Sequence, residues 1–264
     1  NATDAAGMTG AAQPITAKPA LMRNTRVTSV TGTNTPNLIV SFGTGSYLTQ
    51  ADLSSTQPQS FYAVWDSGSA QAPLDNSNLA YQGIATDTAG GTTYRIISPT
   101  SPVSYTIGTN YGWFHNLPTS KERVINEATT NGLATAYLTI IPSEQPCSLG
   151  GTSWLMLVDA FTGQALSFSP YDVDGNGFID SDDTTDGGST AAGVGFGALI
   201  FGSNTGNIAN GAGTAGDFQC PPGTIKKINY ITLSDGNAPG SPYCAIGNVG
   251  RQSWRELDFT TMTP

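Results

Sequence analysis

Short apolar segments follow one another along the whole chain, each bounded by turns that contain glycine, proline or asparagine. Segments such as PNLIVSFGTG (36–45), SFYAVWDSGS (60–69) and LATAYLTIIP (133–142) have the length and the β-branched and aromatic content of strands. About fourteen such segments can be counted, without a convincing amphipathic helix among them. With 32 glycines and 16 prolines in 264 residues, the chain is predicted to be all-β. Sandwich, barrel and propeller folds all satisfy this pattern.

The segment SWLMLVDAFTGQALSFSP (153–170) has the strongest hairpin pattern, with an apolar strand, a glycine-containing turn and a second strand. Propeller blades repeat such strand–turn–strand units, so this pattern favours a propeller. At four strands a blade, the predicted strands make about three to four blades. Further strands are expected at 92–98, 103–108, 112–117, 122–127, 193–203, 224–236 and 251–257. Two stretches, 66–93 and 181–217, are candidate insertions on one rim.

The charge content excludes some functions. Charged residues make up 11% of the chain, against roughly 25% in typical soluble domains. The net charge is −9 with only 10 lysines and arginines, which argues against a nucleic-acid partner and suits bound cations.

No apolar run approaches the ~20 residues of a membrane span. The first residues, NATDAAGMTGAAQP, lack the pattern of a signal peptide, so we expect the chain to be cut from a longer precursor or parent.

The chain contains three cysteines, an odd number that does not reveal its redox compartment. Cys220 and Cys244 flank an expected hairpin, and either a bridge between them or two free thiols is compatible with the sequence. Cys147 is then free, or pairs with a group outside this chain.

The stretch YDVDGNGFIDSDD (171–183) concentrates aspartates in a chain that is otherwise poor in charge. It matches the calcium-loop pattern D-x-[DN]-x-[DN]-G, in which alternate residues turn oxygen atoms towards one centre and glycine permits the sharp turn. No helix is expected on either side, so the loop cannot act by opening a helix pair. The alternative is a cluster of Asx turns that satisfies its own backbone. The pattern assigns Asp172 to position 1, Asp174 to 3, Asn176 to 5, Gly177 to 6, the Phe178 carbonyl to 7, Asp180 to 9 and Asp183 to 12, where glutamate is usual.

Other residue types point to packing rather than catalysis. His115, the single histidine, lies among aromatic residues in YGWFHNLP and is expected to be a packed or rim residue. No G-x-S-x-G, H-E-x-x-H or C-x-x-C motif is present. The four tryptophans are expected to fill the cores of the sheets. We therefore expect no enzyme activity and no catalytic residues.

Several strings together resemble one family. The stretch PCSLGGTSWLMLVDAFTG (146–163), the acidic loop and GRQSWREL (250–257) occur in the order seen in the C-terminal domain of the PilY family, the adhesins associated with type IV pilus tips. FGTGSYL (42–48) and QSFYAVWD (59–66) precede them in the same order. The landmarks extend over nearly the whole chain.

This resemblance implies a β-propeller modified from the quinoprotein type, of which residues 1–264 would form the later part. It implies a Ca²⁺ loop at 172–183 whose ligands are Asp172, Asp174, Asn176, the Phe178 carbonyl and Asp180; Asp183 falls outside that set. It further implies a role at the pilus tip of a bacterium, exported to the cell surface, in adhesion, twitching motility and calcium-linked pilus extension and retraction. The partners implied are minor pilins, the major pilin at the tip, and host or abiotic surfaces. A partial propeller would also expose strand edges, so we expect another polypeptide segment to complete it.

Two other functions remain open from the sequence. One is a secreted, calcium-stabilised binding module of the lectin type that uses the same loop. The other, weaker one is a quinone-dependent dehydrogenase, which would need a stacking tryptophan and basic groups around the cofactor.

Overall fold

The chain is described by a computed structural model at residues 12–27, 36–68, 74–130, 133–145, 150–207, 224–233 and 240–246, with the backbone alone from residue 200 onward. These residues form fourteen strands and two short 3-10 helices, Gln50–Leu53 and Asn76–Asn78. The described residues contain no α-helix, and therefore no helix that is long and apolar enough to cross a membrane. The predicted all-β class is confirmed.

The first sheet has five strands, in the order β1-β2-β3-β7-β4. All of its pairs are antiparallel except the last, β4 with β7, which is parallel. Alternation of half-buried and buried positions along β2 and β3 reproduces the period of two that marked them as strands. The strands are β1 (Ala20–Arg23), β2 (Leu38–Gly43), β3 (Ser60–Asp66), β4 (Ala80–Tyr81) and β7 (Gly112–Asn116).

The second sheet has six antiparallel strands, in the order β5-β6-β11-β10-β9-β8. Its centre is the long pair β9–β10, in register from Gly151 opposite Pro142 to Asp159 opposite Ala134. The strands are β5 (Ile84–Ala89), β6 (Thr92–Ile97), β8 (Thr129–Thr130), β9 (Ala134–Pro142), β10 (Gly151–Asp159) and β11 (Gly193–Phe196).

A third sheet is antiparallel and has the order β12-β13-β14, with β12 at Ile200–Asn207, β13 at Thr224–Leu233 and β14 at Gly240–Ile246. The described strands do not by themselves form a ring of blades, so the propeller arrangement and its blade count stay predictions. The possible Cys220–Cys244 bridge, Cys147 and the string at 250–257 lie outside the residues whose side chains are described.

The main core lies between the first and second sheets. Phe61 of β3 stacks on Tyr137 of β9, with ring centroids 4.0 Å apart and planes within 8°. Trp65 and Trp113 from the first sheet join Met156 from the second in the same buried cluster. Burial of each such side chain contributes about 1.5–3 kcal/mol, so this interface fixes how the two sheets face each other.

Three predicted elements differ from the structure. The hairpin at 153–170 is wrong: the Asp159 amide donates to the Gln164 carbonyl (2.9 Å) and closes the turn, but residues 165–170 form no strand, and β11 pairs with β10 at Ser153–Met156. The segments at 103–108 and 122–127 contribute single bridges, Thr106 with Asn110 and Arg123 with Ile140, instead of strands. The left-handed backbone of Tyr105 (φ 49°) interrupts the first of them. The stretches 66–93 and 181–217 contain strands: β4 lies in the first sheet, β5 and β11 lie in the second, and β12 lies in the third. That the two stretches are insertions on one rim stays a prediction.

Candidate functional site: the acidic loop

The acidic loop, residues 172–183, lies on the chain path between β10 and β11 of the second sheet. Apolar residues alternate with its acidic ones and hold it to the sheet. Tyr171 and Val173 are buried in a cluster with Tyr94 of β6. The hydroxyl of Tyr171 also donates to the Leu155 carbonyl of β10 (3.2 Å). Because these side chains turn inward, the intervening carboxylates are left on the outer side.

Three carboxylates come together in the loop. Asp172, Asp174 and Asp183 each offer an oxygen atom, and these oxygens lie within 4.8 Å of one another. Such a separation of like charges is unfavourable unless hydrogen bonds or a cation offset the repulsion. Oxygen donors of this kind are what Ca²⁺ takes, so the donor set fits that ion.

Asx turns build the N-terminal half of the loop. The Asp172 carboxylate accepts from the backbone amides of Gly175 (2.8 Å) and Gly177 (3.0 Å). Asp174 accepts from the Asn176 amide (3.0 Å), and the Asn176 side-chain oxygen accepts from the Phe178 amide (2.7 Å). This geometry is compatible both with a calcium loop and with a cluster of Asx turns. A carboxylate offers about four lone-pair sites, and these hydrogen bonds use only some of them.

Glycine is required at the two sharp bends. Gly175 and Gly177 have φ angles of 76° and 86°, in the left-handed region that side chains other than glycine and asparagine rarely adopt. A Cβ atom at either position would meet no neighbour, so the requirement comes from the backbone alone.

Asp183 organises the other half of the loop. Its side chain is buried, and one carboxylate oxygen accepts from the amides of Val173 (2.5 Å) and Asp174 (3.4 Å). The other oxygen accepts from the amide of Asp180 (2.8 Å). Burial raises the pKa of Asp183, an effect that these hydrogen bonds oppose. In the sequence this residue is marked by position 12 of the loop pattern, although the ligand set that the resemblance implies does not include it.

The other predicted ligands lie around this cluster. Asp180 is exposed and accepts from the Asp182 amide (2.9 Å); among the described residues it is not part of the converging carboxylate group. Asn176 and Phe178 are exposed, Phe178 to 47%. The ligand roles of Asp172, Asp174, Asn176, Phe178 and Asp180 stay predictions.

The charge of the loop reaches the adjoining strand. The pKa of Tyr94 is raised, mainly by burial and further by the charges of Asp172 and Asp183. Tyr94 lies opposite Asp87 in the β5–β6 pair. The charges of the loop therefore act on a side chain of the β5–β6 hairpin.

The residues weighed for catalysis are packed instead. His115 is buried, with Nδ1 2.7 Å from the Tyr137 hydroxyl and Nε2 2.8 Å from the Gly163 carbonyl. The prediction that it is a packed or rim residue is confirmed. Trp65 and Trp113 fill the core as predicted, whereas Trp154 lies over the Arg95 guanidinium at 4.3 Å. The remaining tryptophan, at 254, lies outside the described residues.

Fold and loop together define a class: an all-β domain of stacked antiparallel sheets that carries an acidic loop without flanking helices. No protein-family model matches the chain. Curated proteins and solved structures are similar to it. The type IV pilus biogenesis factor PilY1 of Pseudomonas aeruginosa strain PAO1 is 27% identical over 282 aligned residues, covering 94% of this chain and 21% of that protein. Its counterpart in strain UCBPP-PA14 is 30% identical, covering 64% and 16%.

A PilY1 homolog of Xylella fastidiosa strain Temecula1 is 29% identical over 94% of this chain and 18% of its own length. The crystal structure of the C-terminal domain of Pseudomonas aeruginosa PilY1 matches 94% of this chain with a TM-score of 0.61 and 23% identity. These findings confirm the resemblance seen in the sequence: the chain is similar to PilY proteins over most of its length, and its fold is similar to that of the PilY1 C-terminal domain. The chain spans about a fifth of the length of these curated relatives and 47% of the solved domain.

Proposed function

We propose that the chain is a calcium-binding domain of a type IV pilus-associated protein, acting in pilus biogenesis, surface adhesion and twitching motility. Two observations support this together. The relatives named for type IV pilus biogenesis match 94% of the chain, and three carboxylates converge in its acidic loop. The carboxylate cluster is the single observation on which the calcium part depends.

In this proposal the ion neutralises the clustered carboxylates. Asp172, Asp174 and Asn176 supply side-chain oxygens from the turns they build, Phe178 supplies its carbonyl, and Asp180 completes the set. Asp183 holds the two halves of the loop together through the amides of Val173 and Asp180. Without flanking helices, the loop acts by becoming ordered on its own sheet, which changes the surface that the pilus machinery meets. We expect affinity in the extracellular class, about 10⁻⁴–10⁻³ M.

The proposed setting is the bacterial cell surface at the pilus tip. Its partners there are minor pilins, the major pilin, and a host or abiotic surface. The proposed role is not enzymatic, and calcium would link the domain to pilus extension and retraction.

The outer face of the first sheet supports a further partner, another β-sheet of a longer PilY-type chain. Leu21 of β1 is 60% exposed on this face, next to Val40. A row of aromatic rings crosses four strands there, and a groove of about 310 Å³ lies against it. Sheets that are apolar on both faces are normally covered on both. The row consists of Phe42, Tyr62, Phe114 and Tyr81, with neighbouring centroids 5.4 to 5.9 Å apart. Phe114 is already buried within this chain, and the other three residues are half-buried.

The test combines binding with a cellular assay. Calorimetry with CaCl₂ on the purified chain and on its Asp180→Ala variant measures the ion, and surface piliation of bacteria that carry Asp180→Ala or Asp180→Lys in the full-length protein measures the role. We expect weakened binding and altered piliation. Unchanged binding in the alanine variant would remove Asp180 from the ligands, and normal piliation despite lost binding would remove calcium from the pilus function.

A further inference from the structure

The segment that leaves the acidic loop is fastened to a different strand. Thr185 donates its hydroxyl hydrogen to Oδ2 of Asp87 on β5 (2.7 Å), and the amide of Gly187 donates to the same oxygen (3.0 Å). These residues are 98 and 100 positions apart from Asp87 in sequence. The carboxylate of Asp87 thus joins the loop exit to the edge of the second sheet.

A second pair of bonds repeats the attachment one residue further along each segment. The amide of Asp186 donates to the Thr88 carbonyl (2.7 Å), and the Thr88 hydroxyl donates to Oδ2 of Asp186 (2.7 Å). The side chain of Thr185 is buried and its hydroxyl also accepts from the Ser189 amide (3.1 Å). Residues 185–189 are therefore a hydrogen-bonded turn that rests on Asp87 and Thr88.

The attachment bears on Asp183, two residues before Thr185. Asp183 can accept from Val173 and Asp180 only while the chain after it keeps its path. The entrance of the loop is fixed to the same hairpin, because Tyr171 and Val173 pack with Tyr94 and Ala89. Both ends of the loop are thus held by β5 and β6.

We infer that Asp87 is a positioning residue of the acidic loop: it fixes residues 185–187 and thereby the placement of the carboxylates, without belonging to the cation cluster itself. This rests on the proposed calcium function. By linkage, the coupling is reciprocal, so the cation must stabilise the β5–β6 hairpin by as much as the hairpin improves cation binding. The edge strand β5 then becomes the element whose order reports the state of the loop.

Calorimetry with CaCl₂ on the 264-residue chain tests whether Asp87 improves calcium binding. The Asp87→Asn substitution keeps the shape of the side chain and removes its charge, and it is expected to raise Kd for Ca²⁺ about tenfold. Asp75→Asn is the matched control. Asp75 also accepts from a hydroxyl and a backbone amide, both of Ser77, but it lies at the start of the 3-10 helix Asn76–Asn78, away from the acidic loop, and its loss changes the net charge equally. It should leave Kd within about twofold.

Thr185→Val removes the hydrogen bond to Asp87 from the donor side. The double variant shows whether Asp87 and Thr185 both act through this bond. Additive effects of Asp87→Asn and Thr185→Val would contradict the inference, since residues that share one hydrogen bond are expected to be non-additive. Circular dichroism of each variant checks that the fold persists. If Asp87→Asn fails to fold, Thr88→Val, which removes the bond to Asp186, carries the same expectation.

Hydrogen exchange tests whether calcium stabilises the β5–β6 hairpin in return. Calcium should slow exchange at the amides of 84–97 in the parent chain, and this protection should disappear in Asp87→Asn. Equal protection in both, or equal Kd values, would overturn the inference while the calcium site stands. Absence of calcium binding by the parent chain would instead overturn the proposed function, and the two failures are therefore distinguishable.

Discussion

Arg95 and Glu122 form a buried two-pronged ion pair, in which Nη1 lies 2.6 Å from Oε1 and Nη2 lies 2.8 Å from Oε2. Both side chains are almost completely buried, and the Trp154 ring covers the guanidinium. The pair fastens the loop around Glu122 to β6 of the second sheet. Glu122 also accepts from the Thr119 amide (3.2 Å), so the carboxylate shapes that loop as well.

Removing one charge of the Arg95–Glu122 pair should destabilise the fold. Glu122→Gln leaves Arg95 buried without a counter-charge and should lower the free energy of unfolding by about 3–5 kcal/mol. The matched control is Glu127→Gln, the same substitution in the exposed pair with Lys18, which should cost less than about 1 kcal/mol. Urea denaturation measures both. Equal effects of the two substitutions would show that burial of the Arg95 pair does not matter.

The stability of the domain should fall in mild acid because of His115. Burial, the largest effect, and the nearby Arg95 charge lower its pKa to about 4, although the Gly163 carbonyl acts in the opposite direction. The unfolded chain takes up a proton near the ordinary value of 6.5 and the folded chain does not, so stability is lost as pH falls from about 6.5 towards 4. Between pH 7 and 4.5 this amounts to about 2–3 kcal/mol.

Comparison with His115→Gln isolates this contribution, since the chain has a single histidine. The variant should lose about 2–3 kcal/mol less between the two pH values than the parent chain does, whatever its stability at pH 7. Parallel pH profiles of the two proteins, measured by urea denaturation, would contradict the buried neutral imidazole.

Gly177 should tolerate no ordinary side chain. Gly177→Ala places a Cβ on a backbone with φ of 86° and should cost about 1 kcal/mol of stability, with weaker calcium binding. Gly197→Ala is the control, because it too would meet no neighbour but has an ordinary φ, and it should be neutral or slightly stabilising. Thermal denaturation and calorimetry check both; equal behaviour would mean that the bend at Gly177 is not needed.

Substitutions of Asp180 and Asp183 should have different effects on the loop. The amides of Val173 and Asp180 donate to different oxygens of Asp183, and Asp183→Asn replaces one of these oxygens by an NH2 donor, so at least one of the two amides should exchange faster with solvent even in EDTA. Asp180→Ala should leave loop exchange in EDTA unchanged beyond Asp182 and weaken calcium binding. If Asp183→Asn exchanged like the parent chain in EDTA, its organising role would be wrong.

Local patterns in the sequence predicted the strands better than they predicted their partners. The alternation in SFYAVWD identified β3, and the buried run in LATAYLTIIP identified β9. Which strands flank β10 depends on chain segments far from it, so the predicted hairpin at 153–170 was assigned to the wrong neighbour.

The same limit applies to the acidic loop. Its turns are local, and the spacing of Asp172, Asp174 and Asn176 around glycines predicted them. The attachment to Asp87 is formed between segments about a hundred residues apart, and nothing in the string IATDTAGG (84–91) distinguishes that aspartate from other aspartates of the chain. Only the fold brings the two together.

The central claim is that the acidic loop binds calcium, and a crystal structure of this chain grown in millimolar CaCl₂ tests it most directly. We predict anomalous density at the loop, with oxygens of Asp172, Asp174, Asn176, Phe178 and Asp180 at about 2.3–2.6 Å from the ion. An ordered loop holding only water at that position, with the Asx turns intact, would contradict the claim.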